Sequence, residues 1–437
     1  MNLLITLIAI FICLKLFWAT VKVSHGTYLN LYYIGFYMIE IAIACLITLD
    51  DPTRELSDIV KLEPTIPFLD IATVVACVAI YCAQKSAFRF KCQDNTRIGE
   101  KVEYIISRYN ITLVSVFFLI GFSLTILKSL NLGYFVSAFA LSFSFTPSFI
   151  GLFWTRLPKL HKIFWCFSLT VNFIFHAMQG SRGTAIFPVA FFVLGYLIYI
   201  SKDVALFKKR ILMFSFIGFL CLPCMTFIED FRLNMGRGLD VSMDNLKLLL
   251  NYRSEYNDEP ADDHKIANSV SRLMIQANPA TVYLTPDIVP YRYFDNMDSE
   301  IKSIFHFGGE DGGERYNSIR GGLGYGTGVA NHYGFHVNEY NSVEWPIFAD
   351  AFSRFGYIGI FIYSYLFAHF LAYLEQRCKR IWYKNPLLSM SLLFFVLYNG
   401  CLSYMYSYYS FMKLLIFRMA FVFFTVYIIS KISIKKR

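Results

Sequence analysis

Arginine residues gather in and around one long polar segment of this sequence, from residue 229 to residue 346. A guanidinium group binds phosphate through two parallel hydrogen bonds and keeps its positive charge at any physiological pH. A lone arginine at a membrane surface also serves as an anchor whose head reaches water, so each position allows both interpretations. The positions that suit a diphosphate group are Arg182, Arg232, Arg237, Arg315, Arg320 and Arg354.

Two histidines stand four residues apart near the end of this segment, at His332 and His336. An imidazole near its ordinary pKa accepts a hydroxyl proton as a general base. Metal ligation would need both rings on one face of a helix, and Gly334 between them disfavours a helix. A general base and a structural hydrogen bond both remain open for this pair.

Acidic and aromatic side chains accompany the histidines. Glu339, Glu344 and Asp350 are placed to orient a base or to contact sugar hydroxyls. Aromatic faces suit stacking on pyranose rings, although aromatic residues at a membrane surface need no such role. The residues expected to contact sugar are Asn338, Glu344, Tyr291 and Trp345, with Tyr283, Tyr293 and Phe294 as further aromatic candidates.

Glycine dominates the stretch from Phe307 to Tyr333. Glycine lets backbone N–H groups approach a ligand closely, because no Cβ intervenes; a mobile hinge is the alternative interpretation. Glu310, Asp311 and Glu314 within this stretch have the oxygen ligands that Ca²⁺ prefers, but solvated loop carboxylates are the commoner case. This segment is therefore where we expect the chemistry.

The composition indicates which kind of structure holds these residues in position. The 437 residues are 56% hydrophobic, 18% aromatic and only 16% charged, which is too apolar for a soluble protein. A helix needs about 20 largely apolar residues to cross a bilayer. The stretches that qualify are 1–21, 28–49, 67–82, 110–127, 133–153, 163–178, 184–200, 211–228, 347–373, 387–405 and 411–430.

Charge predicts the orientation of these spans. A net charge of +9 would suit a nucleic-acid partner, but the basic residues concentrate in alternate connections, as they do on the cytoplasmic side of membrane proteins. The basic connections are 85–108, 156–162, 202–210, 377–384 and 431–437. The segment from 229 to 346 has 10 Lys and Arg against 18 Asp and Glu, a net charge of −8. We therefore expect this segment outside, the C-terminus in the cytoplasm and the N-terminus outside.

The predicted fold class is an all-α polytopic membrane protein with about eleven transmembrane helices and one large, partly helical outer loop. The predicted regions are 1–228 with about eight helices, 229–346 as the loop, and 347–437 with about three helices. Arg182 lies in an outward Gly-Ser-Arg-Gly turn, where basic residues are disfavoured. Arg354 and Arg418 fall inside predicted spans, and ionisable residues within a membrane are functional candidates.

The cysteines and the N-terminal residues give little information about the function. All ten Cys fall in predicted spans or cytoplasmic connections, so we expect no disulfide framework in the outer loop. Cys221 and Cys224 form a C-x-x-C inside an apolar stretch, where small buried residues are the expected interpretation. No basic region precedes the first apolar stretch and Lys15 interrupts it, so we expect the first segment to stay in the membrane.

This layout resembles the Wzy-type O-antigen polymerases, which join oligosaccharide repeat units in bacterial inner membranes. The resemblance lies in the many spans, the Gly180-Ser-Arg-Gly183 turn, the dominant late loop and a His- and Asn-rich segment followed by Phe355-Gly-Tyr-Ile-Gly359. The last element looks like the "H-N … G-x-x-G" signature that these polymerases share with O-antigen ligases. The motifs are short and degenerate, so the layout of the whole chain carries the resemblance.

The resemblance implies a bundle similar to the GT-C glycosyltransferases and an inverting, metal-independent enzyme with no cofactor. It implies that the growing glycan moves as a block from undecaprenyl diphosphate to a new lipid-linked repeat unit at the periplasmic face. The implied partners are these lipid-linked oligosaccharides, the bilayer, a chain-length regulator and a repeat-unit flippase, with no nucleic acid.

The resemblance also assigns roles to residues. Arg182 matches a first diphosphate-binding position, and Arg232, Arg237 or Arg320 a second. An R-x10-G pattern of some members corresponds to Arg315 and Gly326. His336 with Asn338 matches the His-Asn element, but the two are not adjacent and lie far from Gly356, so His332 and Glu339 remain candidates for the base. The alternative functions are an O-antigen ligase, a glycolipid flippase or polysaccharide exporter, and an assembly scaffold.

Overall fold

The computed structural model describes residues 2–23, 28–50, 55–57, 60–61, 63–87, 98–127, 139–178, 182–200, 206, 208–210, 212–214, 291, 293–294, 347–403 and 408–435. The helices, numbered along the chain, are α1 (Asn2–Val23), α2 (Tyr28–Asp50), α3 (Ile66–Ala87), α4 (Ile98–Arg108), α5 (Ile111–Leu127), α6 (Thr146–Phe153), α7 (Lys159–Met178), α8 (Arg182–Ile200), α9 (Ile347–Ile381), α10 (Pro386–Ser403) and α11 (Tyr408–Ile432).

Several of the described helices can cross a membrane. Five are long and apolar enough by length and composition, namely α1, α2, α3, α9 and α11. Shorter apolar helices lie within α5, α8 and α10. These helices support a multi-pass membrane protein. They do not confirm the count of eleven spans, and the span expected at 211–228 lies almost entirely outside the described residues.

The helix starts follow local sequence chemistry. Asn385 precedes α10, and its side-chain oxygen accepts a hydrogen bond from the Leu388 backbone N–H at 3.1 Å. Pro386 at the first helical position has no N–H to leave unpaired. Asn110 caps α5 in the same way, through the N–H of Leu113 at 3.3 Å. Both caps satisfy donors that a helix cannot satisfy internally.

Three features differ from the sequence-based prediction. The stretch 133–153 is not one helix: residues 143–145 form a turn before α6, because Pro147 within its first turn starts a new helix. Helix α4 is amphipathic and was expected only as a basic connection. A short antiparallel hairpin pairs Glu55–Ser57 with Val60–Lys61 in a connection for which no strand was predicted, while the described residues are otherwise almost entirely helical, as expected.

The contacts divide the chain into two compact units. Unit 1 comprises residues 1–92, 270–377 and 399–416, and unit 2 comprises residues 93–269, 378–398 and 417–437. Among the described residues, unit 1 contains α1, α2, α3 and most of α9, whereas unit 2 contains α4 to α8 and parts of α10 and α11. The three-part division expected from the sequence stays a prediction.

Hydrogen bonds between helices stabilise unit 1. Thr6 of α1 donates to Asp70 of α3 at 2.7 Å. The Asn30 amide of α2 donates to Gln84 of α3 at 2.5 Å and to the Ala368 carbonyl of α9 at 3.3 Å. Such bonds fix which helix faces which, since lipid supplies no hydrophobic drive between apolar helices.

Aromatic packing and glycine contacts stabilise unit 2. The Phe149 ring of α6 lies 5.1 Å from Phe118 of α5. Helices α6 and α8 approach at backbone distance, since a Cβ added to Gly195 would collide with the Ser148 carbonyl. A Cβ at Gly151 would likewise meet the Tyr196 nitrogen at 2.8 Å. Small residues at such a crossing allow the close van der Waals contact on which membrane helices depend.

We predict that Gly195→Ala destabilises the protein by about 1–3 kcal/mol, because the added methyl forces α6 and α8 apart. The measurement is thermal unfolding of the detergent-purified protein. Gly35→Ala is the matched control, because nothing lies within 4 Å of a Cβ at that helical position. An equal loss in both variants would show that the α6–α8 contact is not the cause.

Candidate functional site

A buried ion pair lies near the start of α9. Asp350 and Arg354 stand one helical turn apart, with the Arg354 Nε 3.7 Å from the Asp350 carboxylate. The Arg354 side chain is 0% exposed and the Asp350 side chain 1%. Arg354 lies about 10 Å along the axis from Ile347, at 1.5 Å per residue, so the pair sits within the apolar helix. Opposite charges at this spacing face each other and offset the cost of burying either one.

Tyr293, in the polar segment before α9, contacts this ion pair. Arg354 Nη1 donates a hydrogen bond to the backbone carbonyl of Tyr293 at 2.8 Å. Tyr293 has a positive φ of 44°, which is uncommon for any residue other than glycine. Its ring and that of Phe294 pack against Phe355, with centroids 6.0 Å and 5.1 Å away. The guanidinium therefore fixes a backbone turn of the polar segment against the helix.

Helix α9 is broken immediately after Arg354. Gly356 has φ 60° and ψ −143°, a combination that essentially only glycine adopts. Its missing Cβ leaves room for Tyr291, whose hydroxyl would lie 3.1 Å from a methyl there. A Cβ at Gly359 would collide with the Ala351 carbonyl. The two glycines of the Phe355-Gly-Tyr-Ile-Gly359 motif thus permit a kink and the close packing that it produces.

Aromatic side chains surround the kink. The Tyr291 ring lies 5.9 Å from Phe352, and the Tyr357 ring lies 5.3 Å from the same phenylalanine. The Tyr357 hydroxyl is buried and makes no hydrogen bond with the described residues. A phenol in that state can donate to and accept from a sugar hydroxyl. The arrangement joins a buried ion pair, a hydroxyl and aromatic faces at one end of a membrane helix.

The structure describes only part of the predicted site. Tyr291 and Arg354 come together at the α9 kink, as described above. Arg182 is the first residue of α8, and its side chain lies outside the described residues. The other predicted site residues also lie outside them: His332, His336, Glu339, Arg232, Arg237, Arg315, Arg320, Asn338, Glu344 and Trp345.

Two features of the site were not predicted in this form. Asp350 was expected to orient a base or to contact sugar, and its described contact is with Arg354. The signal was the four-residue spacing of the two charges within one helix. Tyr357 was not a candidate at all, since a tyrosine in an apolar stretch is indistinguishable from an ordinary core residue until its hydroxyl is located.

Comparison with known proteins does not identify the chain: no protein-family model, no curated protein and no solved structure matches it.

We predict that Asp350→Asn and Arg354→Gln each destabilise the protein by about 3–5 kcal/mol, because each leaves a buried charge without its partner. The double variant should lose clearly less than the sum of the two losses. Thermal unfolding of the four proteins in detergent measures this coupling.

The control for this cycle is Glu103→Gln, which breaks the 3.2 Å pair between Glu103 and Arg156. That pair is solvent-exposed, so water screens it and the unfolding temperature should change little. Strictly additive losses at Asp350 and Arg354 would mean that the two side chains do not stabilise each other.

Proposed function

We propose that this chain polymerises undecaprenyl diphosphate-linked oligosaccharide repeat units at the periplasmic face of a bacterial inner membrane. The observation that carries the proposal is the buried Arg354–Asp350 pair at the broken start of α9, contacted by the polar segment that precedes it. Charged groups inside a membrane helix are costly and are retained mainly where they serve a function. A broken membrane helix beside such a group is typical of sites for polar substrates.

Diphosphate binding is the first requirement of this reaction. Arg182 begins α8, where unpaired backbone N–H groups and the helix dipole favour an anion. In the proposal, its guanidinium and that end of the helix hold one diphosphate. Arg232, Arg237, Arg315 and Arg320 bring further donors from the polar segment. Asp350 balances the charge of Arg354, so the part of Arg354 is to hold the Tyr293 turn of that segment against α9. Fixed guanidinium donors in a dry site stabilise the charge that develops on a departing phosphate.

Glycosyl transfer then proceeds in one displacement. The acceptor hydroxyl oxygen attacks the anomeric carbon of the growing glycan and forms the new C–O bond. The bond from that carbon to the diphosphate breaks, and its electron pair leaves with the lipid diphosphate. The hydroxyl proton passes to a general base, for which His336 is the first candidate and His332 and Glu339 are the others. Attack opposite the leaving group inverts the anomeric carbon.

Sugar recognition completes the proposed site. The buried Tyr357 hydroxyl and the Tyr291 ring lie beside the kink in α9. Aromatic faces and hydroxyl groups orient a pyranose without adding charge. Asn338, Glu344 and Trp345 are the proposed contacts from the polar segment.

We predict that the purified protein in detergent lengthens glycans from lipid-linked repeat units with no energy source added. A flippase or exporter would leave the lengths unchanged. A ligase would require a different acceptor, the lipid A core. Arg182→Ala should abolish extension although the protein still accumulates in the membrane, because the leaving diphosphate loses its main partner.

Arg156→Ala is the matched control, since it removes an exposed arginine of a predicted cytoplasmic connection and should leave extension intact. Gel separation of the labelled glycans measures both variants. Wild-type lengths with Arg182→Ala would remove this residue from the site.

We predict that His336→Ala slows extension by about 100-fold or more, because the attacking hydroxyl loses its base. Rates at several pH values distinguish loss of a base from loss of structure. If His332→Ala causes this loss and His336→Ala does not, the base is His332.

A further inference from the structure

Three chain segments converge where α9 ends and α10 begins. The Tyr109 hydroxyl, between α4 and α5, donates to the Asn385 side-chain oxygen at 3.3 Å. The Asn385 amide donates to the Ser430 hydroxyl of α11 at 2.6 Å. All three side chains are buried and belong to unit 2. The segments around them are therefore held in fixed positions.

Backbone hydrogen bonds reinforce this convergence. The Asn110 N–H donates to the Ser433 carbonyl at 2.7 Å, and the Lys435 N–H donates to the Arg108 carbonyl at 3.1 Å. The Lys435 ammonium donates to the Ile106 carbonyl at 2.7 Å. The end of α4 and the residues after α11 consequently lie side by side.

Basic and aromatic side chains surround the convergence, and we call them the basic rim. Arg108, Lys384, Lys431 and Tyr383 are exposed, while Trp382 is half-buried. The Trp382 ring lies 5.9 Å from Tyr104 of α4, which joins the turn after α9 to α4. The members of the basic rim are Arg108, Trp382, Tyr383, Lys384, Lys431 and Lys435.

The nearest described acids of α4 do not neutralise the basic rim. Glu103 accepts hydrogen bonds from Arg156 at 3.2 Å and from Tyr199 at 2.9 Å. Glu100 is exposed near the other end of α4, about 12 Å along the helix axis from Arg108. The Tyr104 hydroxyl, to which Arg108 donates a hydrogen bond, raises the pKa of Arg108. The rim therefore presents positive charge.

The length of α9 favours a position for the rim at the depth of lipid headgroups. After the break at Gly356 the helix runs for 25 residues, from Tyr357 to Ile381, which exceeds the roughly 20 needed to cross the hydrocarbon core, so its last turns extend beyond the core. Trp and Tyr favour this interface, because one end of the ring is apolar and the other polar. Lys and Arg beside them face the phosphate groups of the same leaflet.

We propose that the basic rim binds the phosphodiester headgroup of an anionic phospholipid such as phosphatidylglycerol. The four cations attract the phosphate, while Trp382 and Tyr383 pack against the glycerol and the first methylene groups. The segments that converge at Asn385 hold these groups in place before the lipid arrives. This binding does not depend on the glycosyl transfer proposed above.

The test is native mass spectrometry of the detergent-purified full chain with equal amounts of phosphatidylglycerol and phosphatidylcholine. We expect the wild-type protein to retain phosphatidylglycerol preferentially. A variant with Arg108→Gln, Lys384→Gln and Lys431→Gln should lose at least about 10-fold of that preference. Each basic residue near an anionic membrane surface contributes roughly five-fold to binding, so even partly additive losses exceed this threshold. Lys435 is kept because its ammonium also binds a backbone carbonyl.

The matched control removes the same charge elsewhere in unit 2, through Lys159→Gln, Lys208→Gln and Lys209→Gln at three exposed lysines. It should keep the preference. Thermal unfolding without added lipid checks that both triple variants fold. The proposal is overturned if the wild-type protein shows no preference, if the rim variant keeps it, or if both variants lose it equally.

Discussion

The contact between the Arg354 guanidinium and the Asp350 carboxylate constrains everything else at the start of α9. A charge without a partner inside an apolar helix costs several kcal/mol, so neither side chain belongs there alone. Once paired, the guanidinium still has donors to direct elsewhere, and one of them binds the Tyr293 carbonyl. The ion pair thus lowers the cost of burying each charge, and it also holds a distant part of the chain against the helix.

The glycine break gives this attachment its geometry. Without the positive φ at Gly356, α9 would continue straight. A side chain at position 356 would also crowd the Tyr291 hydroxyl. Glycine serves a second purpose in unit 2, where Gly195 lets two helix backbones meet. Gly356 supplies both a backbone conformation that other residues avoid and room for Tyr291, whereas Gly195 supplies room for a neighbouring backbone.

The helices could largely be predicted from the sequence, and their interruptions could not. Hydropathy predicted α1, α2 and the start of α9 to within a few residues, because a membrane span needs a long apolar run. Hydropathy placed the end of α9 at residue 373, because the residues that follow are polar and were assigned to a connection. The helix in fact continues to Ile381. The turn at residues 143–145 was missed because the flanking residues are as apolar as those of a span. A hydropathy window does not register a proline.

The candidate site was predictable in its residue types but not in its contacts. The sequence identified Arg354 and Tyr291, because charge within a span and aromatic residues near it are visible in one dimension. It did not reveal that Asp350 faces Arg354. Nor did it reveal that the Tyr293 carbonyl, 61 residues earlier in the chain, accepts a hydrogen bond from Arg354. Every residue has a backbone carbonyl, so the order of side chains does not predict which carbonyl an arginine will bind.

The bonds between residues 106–110 and residues 433–435 have a consequence for biogenesis. The Lys435 ammonium binds a carbonyl 329 positions earlier in the chain. Helix α4 and the start of α5 are therefore synthesised long before residues 433–435 exist. Until residues 433–435 are made, the Asn110 N–H must donate to another acceptor, such as water.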